Sequence, residues 1–263
     1  MAAPAPSLPS VALRFEEREQ GVIAHVTIDN AAKLNTLDSR LMFSFVEQVE
    51  ALAGHDDLRA VVLTGAGEKA FIGGANIAEM AALDGAGAEA FITLVHRTCN
   101  SLRELPGPVI ARINGYALGA GLEVAAACDL RIAASHAMFG MPEVRVGIPS
   151  VVEAALLPGL IGWGRTREML LFGENIDAPT ALAWGLVQQV AAPADLDRAI
   201  ETRLGQLLAA GPKAIRLQKA LMRQWEDSSL SHAVRAGIES FAQAYGTDEP
   251  ARMMSAFASR RRA

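Results

Sequence analysis

Aromatic residues are scarce in this 263-residue chain, at 5% of the total, and charged residues reach only 20%. There are two cysteines, Cys99 and Cys128. Neither has a neighbour at the spacing of a metal-binding or redox motif, so a disulfide framework is excluded and a reducing, cytoplasmic compartment is expected. Basic excess is also missing. The 24 Lys+Arg face 29 Asp+Glu for a net charge of -5, which excludes a general nucleic-acid binder with its basic face. Long apolar runs are absent as well: Val124 to Cys128 and Val151 to Leu157 are interrupted or ended well short of the ~20 residues that span a bilayer. No membrane partner is expected. The opening MAAPAPSLPS has three prolines and no basic stretch followed by an apolar one, so it reads as a disordered lead-in rather than a signal peptide. The histidines at 25, 55, 96, 136 and 232 lack close ligand spacing and no GxSxG motif occurs, so neither a metal site nor that type of nucleophile is expected. His96 and His136 read as surface or satisfied core residues.

What the chain does have is aliphatic bulk. Hydrophobic residues make up 51%, which excludes disorder and points either to one large core or to apolar surface covered by other subunits. Val11 to Phe15 and Val22 to Ile28 read as strands, Ser39 to Ala53 as an amphipathic helix, and Ala60 to Thr64 as a short buried strand. Glu89 to Leu105 reads as a helix ended by Pro106-Gly107-Pro108, followed by a strand at Val109 to Asn114. Leu118 to Cys128 reads as a small-residue helix, with strands at Leu130 to Ala133 and Ala137 to Gly140. This alternation predicts an α/β architecture with a mostly parallel sheet. From Ser150 the pattern turns helical, with Pro158, Pro179, Pro193 and Pro212 as breaks and long helices at Lys213 to Trp225 and Leu230 to Tyr245.

Three segments carry chemistry. In Lys69-Ala-Phe-Ile-Gly-Gly-Ala-Asn-Ile-Ala-Glu-Met80 a Gly-Gly turn precedes a helix start, with Asn76 as cap and Glu79 completing a capping-box pattern. The peptide N–H of Ala75 then sits at the positive end of a helix, where a developing negative oxygen is stabilised. In Ile113 to Asp129 a second small-residue turn, Gly119-Ala120-Gly121, opens another helix. Its GxxxGxG spacing is neither a dinucleotide fingerprint nor a P-loop. One turn in stands Glu123 among Leu, Val, Ala and Cys, a setting that raises a carboxyl pKa and suits proton transfer; a first-turn dipole contact is the competing reading. In Phe139-Gly-Met-Pro-Glu-Val-Arg-Val-Gly-Ile-Pro149, Glu143 follows a proline in a loop leaving a short strand. Two peptide N–H groups and two carboxylates form a set suited to adding water to an activated double bond.

AFIGGANIAEM, INGYALGAGLEVAAACDLRIA and FGMPEVRVGIP, in this order and at these separations, resemble the signatures of the crotonase (enoyl-CoA hydratase/isomerase) superfamily, and the likeness runs from about Val11 to Arg261. The resemblance implies a crotonase-like spiral of ββα units over 11–195, a C-terminal helical trimerisation region over 196–263, and homotrimers or hexamers built as dimers of trimers. It implies an acyl-CoA substrate with no separate cofactor, coenzyme A being part of the substrate. The oxyanion-hole N–H groups fall on Ala75 and Ala120, and the acid/base glutamates on Glu123 and Glu143, with Glu143 the better candidate to protonate the α-carbon. Lys33, Leu34, Ala75 and Ile77 match positions bordering CoA; Phe241 and Tyr245 resemble positions covering its nucleotide, and Arg260 to Arg262 are candidates for its phosphates or a charged tail. The expected activity is hydration of a 2-enoyl-CoA to the 3-hydroxyacyl-CoA, or the reverse dehydration. Isomerisation or thioester hydrolysis on the same fold, or non-catalytic acyl-CoA binding, are the alternatives. Two departures stand out. Asn76 replaces an aspartate, and Ser150-Val-Val-Glu-Ala154 replaces a glycine-rich turn, so that Val152 and Glu153 stand where glycines are usual. Glu153 reads first as an ordinary charge at a helix start.

Overall fold

Apolar alternation makes a hairpin of the first two strands, β1 (Ser10–Arg18) and β2 (Gly21–Asp29), in the computed structural model, which describes residues 8–260. Most of the expected lead-in, and Arg261 and Arg262, lie outside the described residues, as does the side chain of Arg260. After the hairpin come α1 (Ser39–Leu52), β3 (Leu58–Gly65), β4 (Ala70–Ile72), α2 (Ile77–Met80) and α3 (Gly85–Glu104). Next are β5 (Val109–Ile113), β6 (Tyr116–Leu118), α4 (Ala120–Ala127), β7 (Leu130–Ala134) and β8 (Met138–Gly140). Two 3-10 turns, Glu143–Val146 and Val152–Leu156, lead to α5 (Leu157–Phe172), β9 (Ile176–Asp177), α6 (Ala178–Trp184) and β10 (Gln189–Ala191). The chain ends in α7 (Leu196–Ala209), α8 (Pro212–Glu226), α9 (Leu230–Ala244) and α10 (Glu249–Arg260).

The strands sort into two sheets. One runs β1-β2-β3-β5-β7-β10 and the other β4-β6-β8-β9. Beyond the first hairpin, the larger sheet is parallel; β4, β6 and β8 are parallel to one another and β9 is antiparallel to β8. Successive strands alternate between sheets from β3 to β8, so each turn of the chain places one strand in each, which is the ββα spiral. β3 is buried on both faces, as parallel strands are. Val61 and Leu63 face the main core with Phe45, Phe71 and Ile113, while Ala60 and Val62 meet Leu196, Ile200 and Leu204 of α7.

Local chemistry explains where the helices start. Asp38 caps α1 by accepting from the Leu41 N–H at 2.8 Å, and Leu41, Met42, Phe45, Val46, Val49 and Leu52 bury one face of that helix. Each such side chain contributes roughly 1.5–3 kcal/mol when fully buried. Pro158, Pro179 and Pro212 each stand at the first or second helical position rather than between helices. A proline there sacrifices no helical hydrogen bond. At the far end of α4 the buried Arg131 guanidinium donates to the carbonyls of Leu186 (2.7 Å), Cys128 (2.6 Å) and Ala125 (3.3 Å). A cation at a helix C-terminus meets both its unpaired carbonyls and its dipole.

Four short strands depart from the sequence expectation: β4 and β6 are additional strands, Leu118 ending β6 instead of starting a helix, while β9 and β10 bring the region after Ser150 back to the sheets beside β8 and β7. Strands this short carry too few residues for an alternation to register. In the C-terminal region α9 packs on α8 and leaves Leu230, Val234, Ile238 and Phe241 exposed. α10 is tied to α8 by Glu249, which accepts from the Lys213 and Ala214 N–H groups at 3.0 and 2.9 Å. Among the described residues no helix is long and apolar enough to cross a membrane.

Candidate active site

Three neighbouring parallel strands, β4, β6 and β8, end at one edge of the smaller sheet, with Ala70 opposite Tyr116 and Leu118 opposite Gly140. The carboxyl edge of a parallel sheet is where loops converge to form sites. Here the loop after β4 carries Ala75, the first turn of α4 after β6 carries Ala120 and Glu123, and the segment after β8 carries Glu143. All four line one cavity of about 120 Å³. The rest of its wall is mainly apolar, including Ile77, Met80, Phe91, Ile92, Val95 and Ile148, and Glu123 and Glu143 are its only charged residues.

The two alanines arrive by the same device. Each follows a glycine with positive φ, Gly74 at +116° and Gly119 at +52°. The first turn is held on both sides of Ala75, because Leu37 N–H donates to Gly74 O at 2.9 Å and Asn76 N–H to Leu37 O at 2.8 Å. The second is held where Gly119 N–H donates to Gly140 O at 2.9 Å. Among the described residues no acceptor takes the N–H of Ala75 or of Ala120, the latter being the first residue of α4. An oxygen entering the cavity therefore meets two unused donors, and a helix start adds a favourable partial charge.

Glu123 is 5% exposed, and its Oε1 accepts from the Ala154 N–H at 3.2 Å. Burial, followed by the nearby Glu143 charge, pushes its carboxyl up to about 8; the Ala154 N–H opposes this and Glu153 adds to it. Glu143 is also raised by burial, against its own backbone N–H and the Ser150 hydroxyl, which donates to Oε2 at 2.9 Å. Neighbouring carboxyls with raised pKa values share protons as a pair, an arrangement that suits one to donate a proton and the other to accept one. Gly119 is needed here for a second reason: a Cβ at this position would collide with Glu143 Oε1.

The sequence-expected positions divide into three groups. Glu123, Glu143, Ala75, Ala120 and Ile77 meet at the cavity. Lys33 and Leu34 lie close by on the turn leaving Asn30, where Leu34 O accepts from the Gly73 N–H at 2.8 Å; Leu34 is itself left-handed at φ 55°. Phe241 and Tyr245, with ring centroids 5.3 Å apart, do not line the cavity and instead face a groove between α8, α9 and α10. Asn76 caps α2 as expected, accepting from Ala78 and Glu79 N–H at 3.0 and 3.3 Å. The capping box does not close. Glu79 turns instead to Ser39, taking its N–H at 3.0 Å and its hydroxyl, while the Asn76 N–H is already bonded to Leu37.

Three contributors escaped the sequence reading. Ser150 and the Ala154 N–H hold the two glutamates, and both belong to the segment singled out only as a departure. Glu153 is not an exposed helix-start charge. It is 6% exposed and its Oε1 lies 2.7 Å from His96 Nδ1 on α3, because the turn carrying it begins with Val152 at a left-handed φ of 37° and faces inward. His136 is satisfied, as expected, by the carbonyls of Glu68 and Asn114, each 3.1 Å from Nε2.

Comparison with known proteins agrees with this geometry. A family model described as enoyl-CoA hydratase/isomerase matches residues 17–263. The chain is 34% identical to a short-chain-enoyl-CoA hydratase of Clostridium acetobutylicum, over 93% of this chain and 94% of that protein. It is 32% identical to a crotonyl-CoA hydratase of Syntrophomonas wolfei, over 97% and 96%. Its fold is similar to the crystal structure of an enoyl-CoA hydratase from Bacillus anthracis, with a TM-score of 0.89 at 28% identity, covering 95% of this chain and 96% of that one.

Proposed function

The chain belongs to the enoyl-CoA hydratase/isomerase family, and from that premise we propose that it adds water to a 2-enoyl-CoA thioester, or removes it in the reverse direction. The observation that carries this reading is the meeting of two unused N–H donors and two carboxyls of raised pKa at one cavity. The thioester oxygen accepts from the N–H groups of Ala75 and Ala120. Charge drawn onto that oxygen leaves the β-carbon electrophilic, and each donor contributes ~3 kcal/mol in the transition state.

Water held between Glu123 and Glu143 then reacts. Its oxygen bonds to the β-carbon, its proton goes to the ionised carboxylate, the π electrons move toward the thioester oxygen, and the other carboxyl protonates the α-carbon. The pair works with one proton in all. The two carboxyls titrate as a pair across the bound water, and Glu143 is assigned to deliver the proton to the α-carbon. The reaction is redox-neutral, and the two N–H donors perform the polarisation a Lewis acid would provide, so acyl-CoA is the only coenzyme in this reading. Lys33, Leu34 and Ile77 are assigned to the CoA border. Phe241 and Tyr245 serve only if another subunit brings its α9 to the site.

The exposed apolar face of α9 supports a homotrimer or a dimer of trimers, and light scattering that finds a monomer would remove that assignment. Buried, unpaired Cys99 and Cys128 suit a cytoplasmic setting. The test of function is product identification with crotonyl-CoA and longer 2-enoyl-CoA thioesters. A 3-hydroxyacyl-CoA is expected; a shifted double bond means isomerisation, free CoA means hydrolysis, and binding without turnover means a non-catalytic role.

A further inference from the structure

The pair of Glu153, buried, and His96, half-exposed, behind Glu123 has no place in the chemistry described so far. Glu153 Oε1 meets His96 Nδ1 at 2.7 Å, while Oε2 is buried with no partner other than the weak donor of the Cys99 thiol. A buried carboxylate oxygen satisfied so weakly is costly. The peptide following Glu153 donates the one hydrogen bond that Glu123 accepts from this turn, Ala154 N–H to Oε1 at 3.2 Å. The turn is thus held on one side by α3, through His96, and on the other reaches α4, through Glu123. Its start is strained as well, since Val152, a β-branched residue, sits at φ 37°. Backbone strain of this kind costs on the order of 1–3 kcal/mol and persists where surrounding contacts enforce it.

We propose that Glu153 and His96 are a positioning pair for Glu123, holding the turn that offers the Ala154 N–H and placing a third carboxyl behind the catalytic one. This rests on the hydratase reading. The titratable groups facing Glu123 are Glu143 from the loop after β8, Glu153 from the 3-10 turn and the Cys99 thiol from α3. Those facing Glu153 are His96 and Cys99 from α3 and Glu123 from α4. Cys99 stays a neutral thiol, because burial and then the charges of Glu153 and Glu123 push it up. The His96 side chain is 51% exposed while Glu153 is buried.

Glu153 raises the Glu123 carboxyl, after burial and the nearby Glu143, and the His96 hydrogen bond draws on the Glu153 carboxylate. The two side chains are therefore expected to act in opposite directions. Glu153→Gln removes the charge, and the alkaline limb of kcat moves to lower pH by about half a unit or more, with KM changed by less than about twofold. His96→Leu removes the hydrogen bond that draws on the Glu153 carboxylate, and the limb moves to higher pH. Steady-state kinetics with crotonyl-CoA from pH 5 to pH 10, alongside thermal unfolding, reads both. Opposite shifts support the pair. Profiles that superimpose on the wild type after scaling, or a loss confined to KM or to melting temperature, overturn it in favour of a structural contact. A wild type without hydratase activity overturns the functional reading and this pair with it, whereas an active wild type with unmoved limbs overturns the pair alone.

Discussion

Replacing either Glu123 or Glu143 by Gln is expected to lower kcat for a 2-enoyl-CoA by about 100-fold or more, the range lost with one general acid or base. The substitution removes ionisation while keeping shape. At Glu123 the amide oxygen still accepts from the Ala154 N–H, and at Glu143 it still accepts from the Ser150 hydroxyl, so the cavity keeps its walls. The unused N–H groups of Ala75 and Ala120 are untouched, and binding of the thioester is expected to survive. The loss should thus fall on kcat with KM little changed. Because the pair shares one proton, the double variant is expected to lose much less than the product of the two single losses. Steady-state kinetics on the single and double variants checks this, and full activity in either single variant would take that residue out of the mechanism.

Glu123→Gln is also expected to make the protein more stable. The wild-type carboxyl is raised to about 8 in the folded chain, chiefly by burial, against an ordinary value near 4.5. Below pH 4.5 it is protonated in both folded and unfolded chains and carries no penalty. As pH rises from there toward 8, only the unfolded chain ionises it freely, so the folded state loses ground until both forms are charged. At pH 7 the gap is on the order of 3 kcal/mol, at 1.36 kcal/mol for each unit of displacement. Urea unfolding at pH 4, 6 and 8 is the measurement. The variant's advantage should be small at pH 4 and grow through pH 6 to pH 8; a constant difference across the series would rule out burial of the charge as its source.

Much of the fold was legible in the sequence because its strands and helices carry their periods locally. α1 was read to within one residue, since its apolar spacing and its Asp38 cap are both contained in the segment. Glu123 was readable for a related reason: its helical neighbours are themselves apolar, so sequence surroundings and spatial surroundings coincide. Where a partner lies far along the chain, that local logic fails. The box around Asn76 was a sound pattern overridden by Ser39, which competes for the Glu79 carboxylate. Glu153 reads as an ordinary charge at a helix start, and does stand in the first turn of a 3-10 helix, but its burial against His96 does not show because that partner is 57 positions earlier. Phe241 and Tyr245 sit on a helix whose apolar face says that something covers it without saying what.

The pairing of a left-handed glycine with the residue after it divides the site's labour in a way that bears on how such a protein can change. In the proposed reaction the groups that polarise the thioester belong to the main chain after β4 and β6, and substitution of the side chain at 75 or 120 leaves them in place. Proton handling belongs to two side chains on α4 and in the loop after β8. One part is therefore shielded from most point mutations while the other is exposed to every one of them. A lineage that altered position 123 or 143 would keep a working thioester activator and acquire a new reaction upon it, with the glycines at 74 and 119 as the letters it must preserve.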